Sequence, residues 1–292
     1  MSLFNQIADV NVNELVDMTD VQTGGGSRGL LPKGTAIVRL STYIEFGKHI
    51  KEWQGQKKPA TPQFKLGFCI VGGGGVNKEG KGEKYVREEG NFPFIGTYDV
   101  AMSQHQKSKA VKYFKALNSV GEQKTHFVQK VAEQCLYALP IGVEKDKNGN
   151  DKNTYDFANL SVAVNPQTYE PYTDADMPKL EDKHFQVFLW DRPTKEMWDS
   201  IHIEGEWDAK KDAAGNVVAP AKSKNFLQEK CLQAVDFEGS ALQTLLQEIG
   251  ADYTIPELAT TPDVQEAPEP PQEVPAEAAV ATPPAMDEDD LL

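Results

Sequence analysis

The stretch TAIVRLSTYIEF, residues 35–46, decides the fold because apolar and polar side chains alternate along it. Alternation with a period of two predicts a β-strand with one buried face. The apolar face carries Ala36, Val38, Leu40, Ile44 and Phe46, and the opposite face carries Arg39, Ser41, Tyr43 and Glu45. Residues 62–71, PQFKLGFCIV, repeat the pattern, with Lys65 outward and Phe64, Leu66, Phe68 and Ile70 inward. The two segments therefore predict a pair of half-buried strands.

The rest of the chain predicts a mainly β protein with flanking helices. A helix is predicted over 106–120 and two more around 223–234 and 239–249, with further strands at 125–131, 160–164 and 184–191. The run 72–92 begins with four glycines and is rich in charge, so it predicts a long mobile loop. Segments 146–151 and 212–223 predict hairpin or loop tips. Short strands with a helix between them favour the α+β class, as a small Greek-key barrel with long insertions.

Charge is distributed unevenly along the chain. The 292 residues carry a net charge of −14, yet residues 33–130 hold 17 Lys and Arg against 8 Asp and Glu. Residues 257–292 hold ten acids and no base. Residues 256–292 also contain eight prolines and no aromatic residue, so we expect a disordered acidic tail. The sequence thus predicts a flexible arm at 1–32, a domain at 33–255 and a tail at 256–292.

Within the basic segment, cations are interleaved with aromatic residues. Lysine and arginine can follow a phosphate backbone while aromatic rings stack on bases, which is what sequence-tolerant binding of a single strand requires. By strand parity, Phe46, Phe64 and Phe68 belong to the core instead. The candidate DNA-binding residues are Lys33, Arg39, Tyr43, Lys48, Lys51, Trp53, Lys57, Lys58, Lys65, Lys84, Tyr85 and Arg87.

Catalytic and metal sites are not predicted. The five histidines show no metal-ligand spacing with one another or with Cys69, Cys135 and Cys231, and no Ser or Cys nucleophile stands in a recognisable motif. The glycines at 72–75 lack the Lys-Ser/Thr that a phosphate-binding loop requires. A Mg²⁺ nuclease using Glu204, Glu206 and Asp208 stays open as an alternative, although no second carboxylate cluster supports it. We expect no enzyme activity, cofactor or metal.

The location of the protein follows from what the sequence lacks. No apolar run is long enough for a membrane span, and the N-terminus has no basic-then-apolar signal peptide. Three scattered cysteines make a disulfide framework improbable. We therefore expect a protein of a reducing cytoplasm that binds no membrane.

The last residues, AMDEDDLL (285–292), combine four acids with two leucines. Tethered acids near a basic segment compete with nucleic-acid phosphates at high effective concentration. The leucines add an apolar group for a pocket on a partner protein. The predicted partner-binding residues are therefore Asp287, Glu288, Asp289, Asp290, Leu291 and Leu292.

Residues 30–71, LLPKGTAIVRLSTYIEFGKHIKEWQGQKKPATPQFKLGFCIV, resemble the opening strands of phage-encoded single-stranded DNA-binding proteins of the OB-fold type. Residues 226–246, FLQEKCLQAVDFEGSALQTLL, look like the C-terminal helical region of that family, which shares an acidic tail. The resemblance implies an OB-fold and no catalysis. It also implies recruitment of replication or recombination proteins, such as a polymerase, helicase-primase or nuclease, through the tail. Such tails usually end on an aromatic residue, whereas this one ends on Leu291 and Leu292, and the segment 72–97 is longer than expected.

These observations favour a protein that coats and protects single-stranded DNA in phage replication or recombination, in the cytoplasm of a bacterial host. A single-strand annealing protein is one alternative, and the self-association that it requires would separate the two. An acidic virion or scaffolding protein is another, and it would show no salt-dependent DNA binding.

Overall fold

A long two-stranded hairpin organises the fold. In this computed structural model the described residues are 29–251, apart from 54, 88–89 and 212–216. The hairpin consists of β1 (Lys33–His49) and β4 (Thr61–Val76). The other strands are β2 (Glu52–Trp53), β3 (Gln56–Lys57), β5 (Gly82–Lys84), β6 (Phe94–Gly96), β7 (Val100–Ala101), β8 (Tyr137–Lys145), β9 (Asp151–Tyr155), β10 (Ser161–Val162), β11 (Gln186–Phe188), β12 (Glu206–Trp207), β13 (Lys210–Lys211), β14 (Val217–Ala219) and β15 (Lys222–Ser223).

Five α-helices flank the strands in the described part of the chain: α1 (Lys109–Leu117), α2 (Phe127–Glu133), α3 (Lys195–Ser200), α4 (Phe226–Leu232) and α5 (Ala241–Glu248). Short 3₁₀ turns occur at Phe157–Asn159 and Asp182–His184. The helices predicted at 106–120, 223–234 and 239–249 are confirmed, with shorter bounds. The strand predicted at 125–131 is wrong, because α2 occupies it. The Gln129 side chain accepts from the backbone N–H of His126 at 3.0 Å, which caps the start of that helix.

Nine strands form one mainly antiparallel sheet of order β10-β8-β1-β4-β5. In addition, β9 pairs with β8, β6 and β7 pair with β4, and β11 runs parallel to the C-terminal half of β1. The mainly β class with a few helices is therefore confirmed. Over the described residues the pairings do not close the sheet into a barrel.

The β1–β4 ladder runs from Lys33 opposite Val76 to His49 opposite Thr61. Its register shifts at three places in β1, between Ile37 and Val38, between Leu40 and Thr42, and between Glu45 and Lys48. Irregularities of this kind bend a strand and increase its twist. The hairpin is thereby long enough and bent enough for β1 to contribute to three separate hydrophobic clusters.

Both faces of β1 are buried, which corrects the prediction of a half-buried strand. Arg39, Ser41 and Tyr43, placed outward by the alternation, are inaccessible to solvent. Residues 174–178 cover the second face where they hold Arg39. The register shift between Leu40 and Thr42 instead turns Tyr43 into the largest hydrophobic cluster, where the Phe127 ring of α2 stacks on it at 5.5 Å. The predicted core positions Phe46, Phe64 and Phe68 are buried as expected.

Three hydrophobic clusters fill the described domain. The largest packs the inner side chains of β1, β4 and β8 against α1 and α2. The second packs Ile44 and Phe46 against β11 and helices α3, α4 and α5. The third, smaller cluster lies around Ile37, Cys69 and Leu180. Strand β1 therefore contributes to all three clusters.

The glycine run 72–75 is a strand and not the predicted loop. Gly72 to Gly75 form the end of β4, paired with β1, and Gly74 and Gly75 also pair with β5. Gly73 has a φ of +86°, which side chains other than glycine rarely adopt. A Cβ on Gly74 would lie 2.5 Å from the carbonyl oxygen of Glu83. Glycine is needed here because the strands approach too closely for a side chain.

Candidate nucleic-acid interface

The predicted cations fall into two groups at opposite ends of the β1–β4 hairpin. Lys33, Lys84 and Arg87 lie at one end, where β1 begins and β5 pairs with β4. The other group surrounds the turn of the hairpin and consists of Lys48, Lys51, Lys57, Lys58 and Lys65. A strand as long as β1 spans roughly 50 Å when extended, so the two groups do not form one site.

Three predicted contact residues are inside the protein. Arg39 donates to the Pro178 carbonyl at 2.9 Å and to Asp174 at 3.0 Å. Tyr43 donates to Glu45 at 2.6 Å, and Tyr85 donates to the Pro32 carbonyl at 2.8 Å. Burial, and then the nearby Glu45 charge, raise the pKa of Tyr43. These side chains hold the domain together and are not available to a base or phosphate in this structure.

Other residues predicted to bind DNA or a partner protein lie wholly or partly outside the described residues. The backbone of Trp53 belongs to β2, but the structure does not describe its side chain. The arm up to residue 28 and the tail from residue 252, including Asp287–Leu292, lie outside the described residues.

The turn of the hairpin is a small ribbon that presents lysines to solvent. Strands β2 and β3 pair through Glu52–Lys57 and Trp53–Gln56, and the Lys58 amide donates to the Lys51 carbonyl at 2.8 Å. Lys57 and Lys58 are exposed. Lys51 anchors the base of the ribbon, because its ammonium donates to the Asp99 carbonyl at 3.0 Å.

Asp99, next to β7, gathers three lysines that come from distant parts of the sequence. Besides Lys51, Lys230 of α4 forms an ion pair with the Asp99 carboxylate and lies 4.9 Å from the centroid of the Phe46 ring. Lys65 of β4 is half-buried nearby. Burial lowers the pKa of Lys65, the Asp99 charge opposes that shift, and the Lys230 charge adds to it. Three ammonium groups around one carboxylate leave an excess of positive charge, which suits an anionic ligand.

Exposed aromatic rings that were not among the predicted DNA-binding residues border this lysine cluster. Tyr98, adjacent to Asp99, is 78% exposed, Trp207 is 47% exposed and Phe226 is 40% exposed. The rings of Trp207 and Phe226 are stacked, with centroids 6.3 Å apart and planes 23° from parallel. Lys65 Nζ lies 5.6 Å from the centroid of the Phe226 ring. In the sequence Trp207 stands between Glu206 and Asp208, and these carboxylates suggested a metal site instead of a base-stacking residue.

The opposite end of the hairpin is a poorer anion site. A groove of about 560 Å³ lies there, lined by Lys33 and Tyr155 but also by Glu144 and Asp156. Two carboxylates beside one lysine disfavour a phosphate. The lysine cluster around Asp99 is therefore the stronger candidate interface.

Neither a metal-ligand cluster nor a membrane-spanning helix occurs among the described residues. Over the part of the chain that the structure describes, no three His, Cys, Asp or Glu side chains come together as metal ligands would. Glu206, one of the candidate nuclease carboxylates, is exposed on β12. Cys69, Cys135 and Cys231 are free thiols. None of the described helices combines the length and the apolar character needed to span a bilayer.

Comparison of the chain with protein-family models, curated proteins and solved structures gave no match.

Proposed function

We propose that this protein binds single-stranded DNA without sequence specificity, as a binding protein and not as an enzyme. The observation that carries the proposal is the lysine cluster around Asp99 together with exposed aromatic rings, since Lys65 of that cluster lies against Phe226, which stacks on Trp207, and Tyr98 adjoins Asp99. Cations that hold phosphates beside rings that stack on bases are the two requirements for binding an unpaired strand. A duplex keeps its bases stacked on each other, so it could use only the cations.

The strand order supports an OB-fold origin for the domain. Five principal strands occur in the spatial order β9-β8-β1-β4-β6. Along the chain, α1 and α2 lie between β7 and β8. In OB-folds the second and third strands and the loop between the first and second contact oligonucleotides. Here these are β4, the β6–β7 segment and the ribbon of β2 and β3, which carry Lys65, Tyr98 and Lys57, while Lys230, Phe226 and Trp207 come from α4 and β12. An OB-fold can be a partly open barrel, consistent with the unclosed pairing.

In the proposed role the protein coats and protects single-stranded DNA during phage replication or recombination inside the bacterial host. The acidic residues Asp287–Asp290 with Leu291 and Leu292 would recruit replication or recombination proteins. Their negative charge would also compete with DNA for the lysine cluster.

The test compares two triple variants of equal charge. Replacing Lys57, Lys58 and Lys65 by Ala should weaken binding to oligo-dT. It should also reduce the magnitude of the slope of log K against log salt by about 2, since each phosphate contact on a single strand contributes about 0.7. The matched control replaces Lys78, Lys81 and Lys84, which lie at the opposite end of the hairpin. Fluorescence anisotropy at several salt concentrations measures both quantities.

Two results would contradict the proposal. Wild-type protein that binds duplex as tightly as oligo-dT would remove the preference for unpaired strands. Equal slopes for both triple variants would remove Lys57, Lys58 and Lys65 from the interface.

A further inference from the structure

The ribbon formed by β12 and β15 has two chemically different faces. Trp207 is paired with Lys222, and Glu206 is paired with Ser223. Because side chains alternate along a strand, Trp207, Lys222 and Lys224 belong to one face, while Glu206 and Asp208 belong to the other. Directly opposed side chains in an antiparallel pair have Cβ atoms about 5 Å apart, so the register places the Cβ atoms of Lys222 and Trp207 next to each other. The face that carries the aromatic ring is therefore cationic.

The ring pair is fixed to the domain by its second member. Phe226 begins α4, and the following Leu227 and Cys231 are buried in the second hydrophobic cluster. The base of the ribbon is tied to the same place, since Lys224 N–H donates to the Gly205 carbonyl at 2.9 Å and Ile203 N–H donates to Asn225 Oδ1 at 3.2 Å. Trp207 thus stacks on a ring that cannot easily move, although nearly half of its own surface is open to solvent.

Lys65 connects this ring pair to the lysine cluster around Asp99. Its ammonium lies 5.6 Å from the Phe226 ring centroid, and its pKa is affected by the charges of both Asp99 and Lys230. A polyanion held by Lys51, Lys65 and Lys230 would therefore pass next to Phe226 and Trp207. An apolar peptide would gain little from so many cations, whereas a nucleotide offers a flat ring and a phosphate together.

We propose that Trp207, backed by Phe226, is a base-stacking subsite for one unpaired nucleobase. The flanking phosphates would be held by Lys65 on one side and Lys222 on the other. The inference rests on the proposed function and deepens it, since it assigns a stacking residue on the ribbon outside the principal sheet. Any nucleobase has a stacking face, so the subsite would accept all four bases.

The first test is the variant W207A. Affinity for oligo-dT should fall by about 5- to 150-fold, the range expected for one lost stacked base. The salt slope should stay at the wild-type value, because no cation is removed. The matched control is Y169A, which removes a ring that is 83% exposed in a turn outside the ribbon. It should bind as the wild type does.

A second measurement separates stacking from damage to the ribbon. An oligonucleotide with abasic sites keeps the phosphates but removes the rings. Wild-type protein should bind it more weakly than oligo-dT, and W207A should lose less affinity on the same change of ligand. The conservative variant W207F should retain most of the affinity but lose the part of the fluorescence quench that Trp207 contributes when oligo-dT is added.

The outcomes distinguish the two proposals. Wild-type protein that shows no preference for oligo-dT over duplex would overturn single-strand binding itself. Normal binding by the wild type, combined with an unchanged affinity in W207A and an identical quench in W207F, would overturn only the stacking subsite.

Discussion

At the scale of single residues, Lys65 is the most informative position. It was predicted to point outward from its strand, and it lies half-buried between a carboxylate, a second lysine and an aromatic ring. Burial disfavours its charged form and lowers its pKa below the ordinary 10.5. Only the protonated form attracts a phosphate, so the contribution of Lys65 to DNA binding should be lost as pH rises through this lowered pKa.

Replacing Lys65 by Arg tests that dependence, since arginine stays protonated across the accessible range. Wild-type affinity for oligo-dT should decline on the alkaline side before the pH reaches 10.5, and K65R should decline less. The matched control is K57R, the same replacement at an exposed lysine, which should follow the wild-type profile. If the affinities of K65R and wild type for oligo-dT depend on pH in the same way over that range, the charge of Lys65 does not contribute to DNA binding.

At the scale of elements, the glycine run makes the close approach of three strands possible. Gly74 lies in β4 between β1 and β5, with no room for a Cβ beside the Glu83 carbonyl. Gly82 begins β5 but has no heavy atom within 4 Å of the corresponding position. The two glycines therefore differ in the room available for a Cβ atom.

The variant G74A should therefore lower the free energy of unfolding by about 1–3 kcal/mol, the range for an atom forced into a packed site. The matched variant G82A should stay within about 0.5 kcal/mol of wild type. Urea unfolding curves of the three proteins measure the difference. Equal destabilisation by both substitutions would mean that the strand spacing at Gly74 does not limit side-chain size.

The same elements show what a sequence can predict here. Period-two alternation over 35–46 and 62–71 was sufficient to place β1 and β4, and the predicted hairpin tip at 146–151 joins β8 to β9. Composition led to the wrong prediction of a loop at 72–75, because glycines that permit the close approach of strands cannot be told from loop glycines in a sequence. It also misled at 125–131, where Phe127, Val128 and Val131 suit a strand but have helical spacing. Burial of Arg39 and Tyr43 depends on residues 127 and 174–178, which no local pattern reveals.

The site was predictable to a similar degree. Lysines near the hairpin turn could be found from charge density. Lys48, Lys57 and Lys58 are exposed, whereas Lys51 and Lys65 are half-buried. The convergence of Lys51, Lys65 and Lys230 on Asp99 joins three segments that are far apart in sequence. The stacking of Trp207 on Phe226 likewise depends on the β12–β15 ribbon, which brings Trp207 back to the start of α4. Long-range contacts of this kind require the fold.

At the scale of the whole molecule, charge is the dominant feature. The segment 33–130 carries an excess of nine positive charges, and residues 257–292 carry ten acids and no base. A disordered tail over 256–292, as the sequence predicts, would have a root-mean-square reach of roughly 30–36 Å for its 37 residues. Acids on such a tether would compete with DNA for the lysine cluster, most strongly where salt screens least.

Removing Asp287–Leu292 should therefore tighten binding to oligo-dT at low salt and have little effect at high salt. Anisotropy titrations of full-length protein and residues 1–286 at both salt concentrations measure this. The matched control, Leu291 and Leu292 replaced by Ala, keeps all four acids and should bind DNA as the full-length protein does. If residues 1–286 bind oligo-dT no more tightly than the full-length protein at low salt, the acids do not compete with DNA and serve only partner binding or solubility.

The pairing of β11 with β1 has a consequence for how the chain is made. One edge of β1 is completed by β8 near its start and by β11 over Thr42–Ile44. Phe188, the last residue of β11, is translated roughly 140 residues after β1. At synthesis rates of up to about 20 residues per second, that interval is roughly 7 s or longer. During it the nascent hairpin presents an unpaired strand edge, the kind of surface on which chains aggregate. Slower translation, or many ribosomes on one message, should therefore lower the soluble yield more than the stability of the finished protein would suggest.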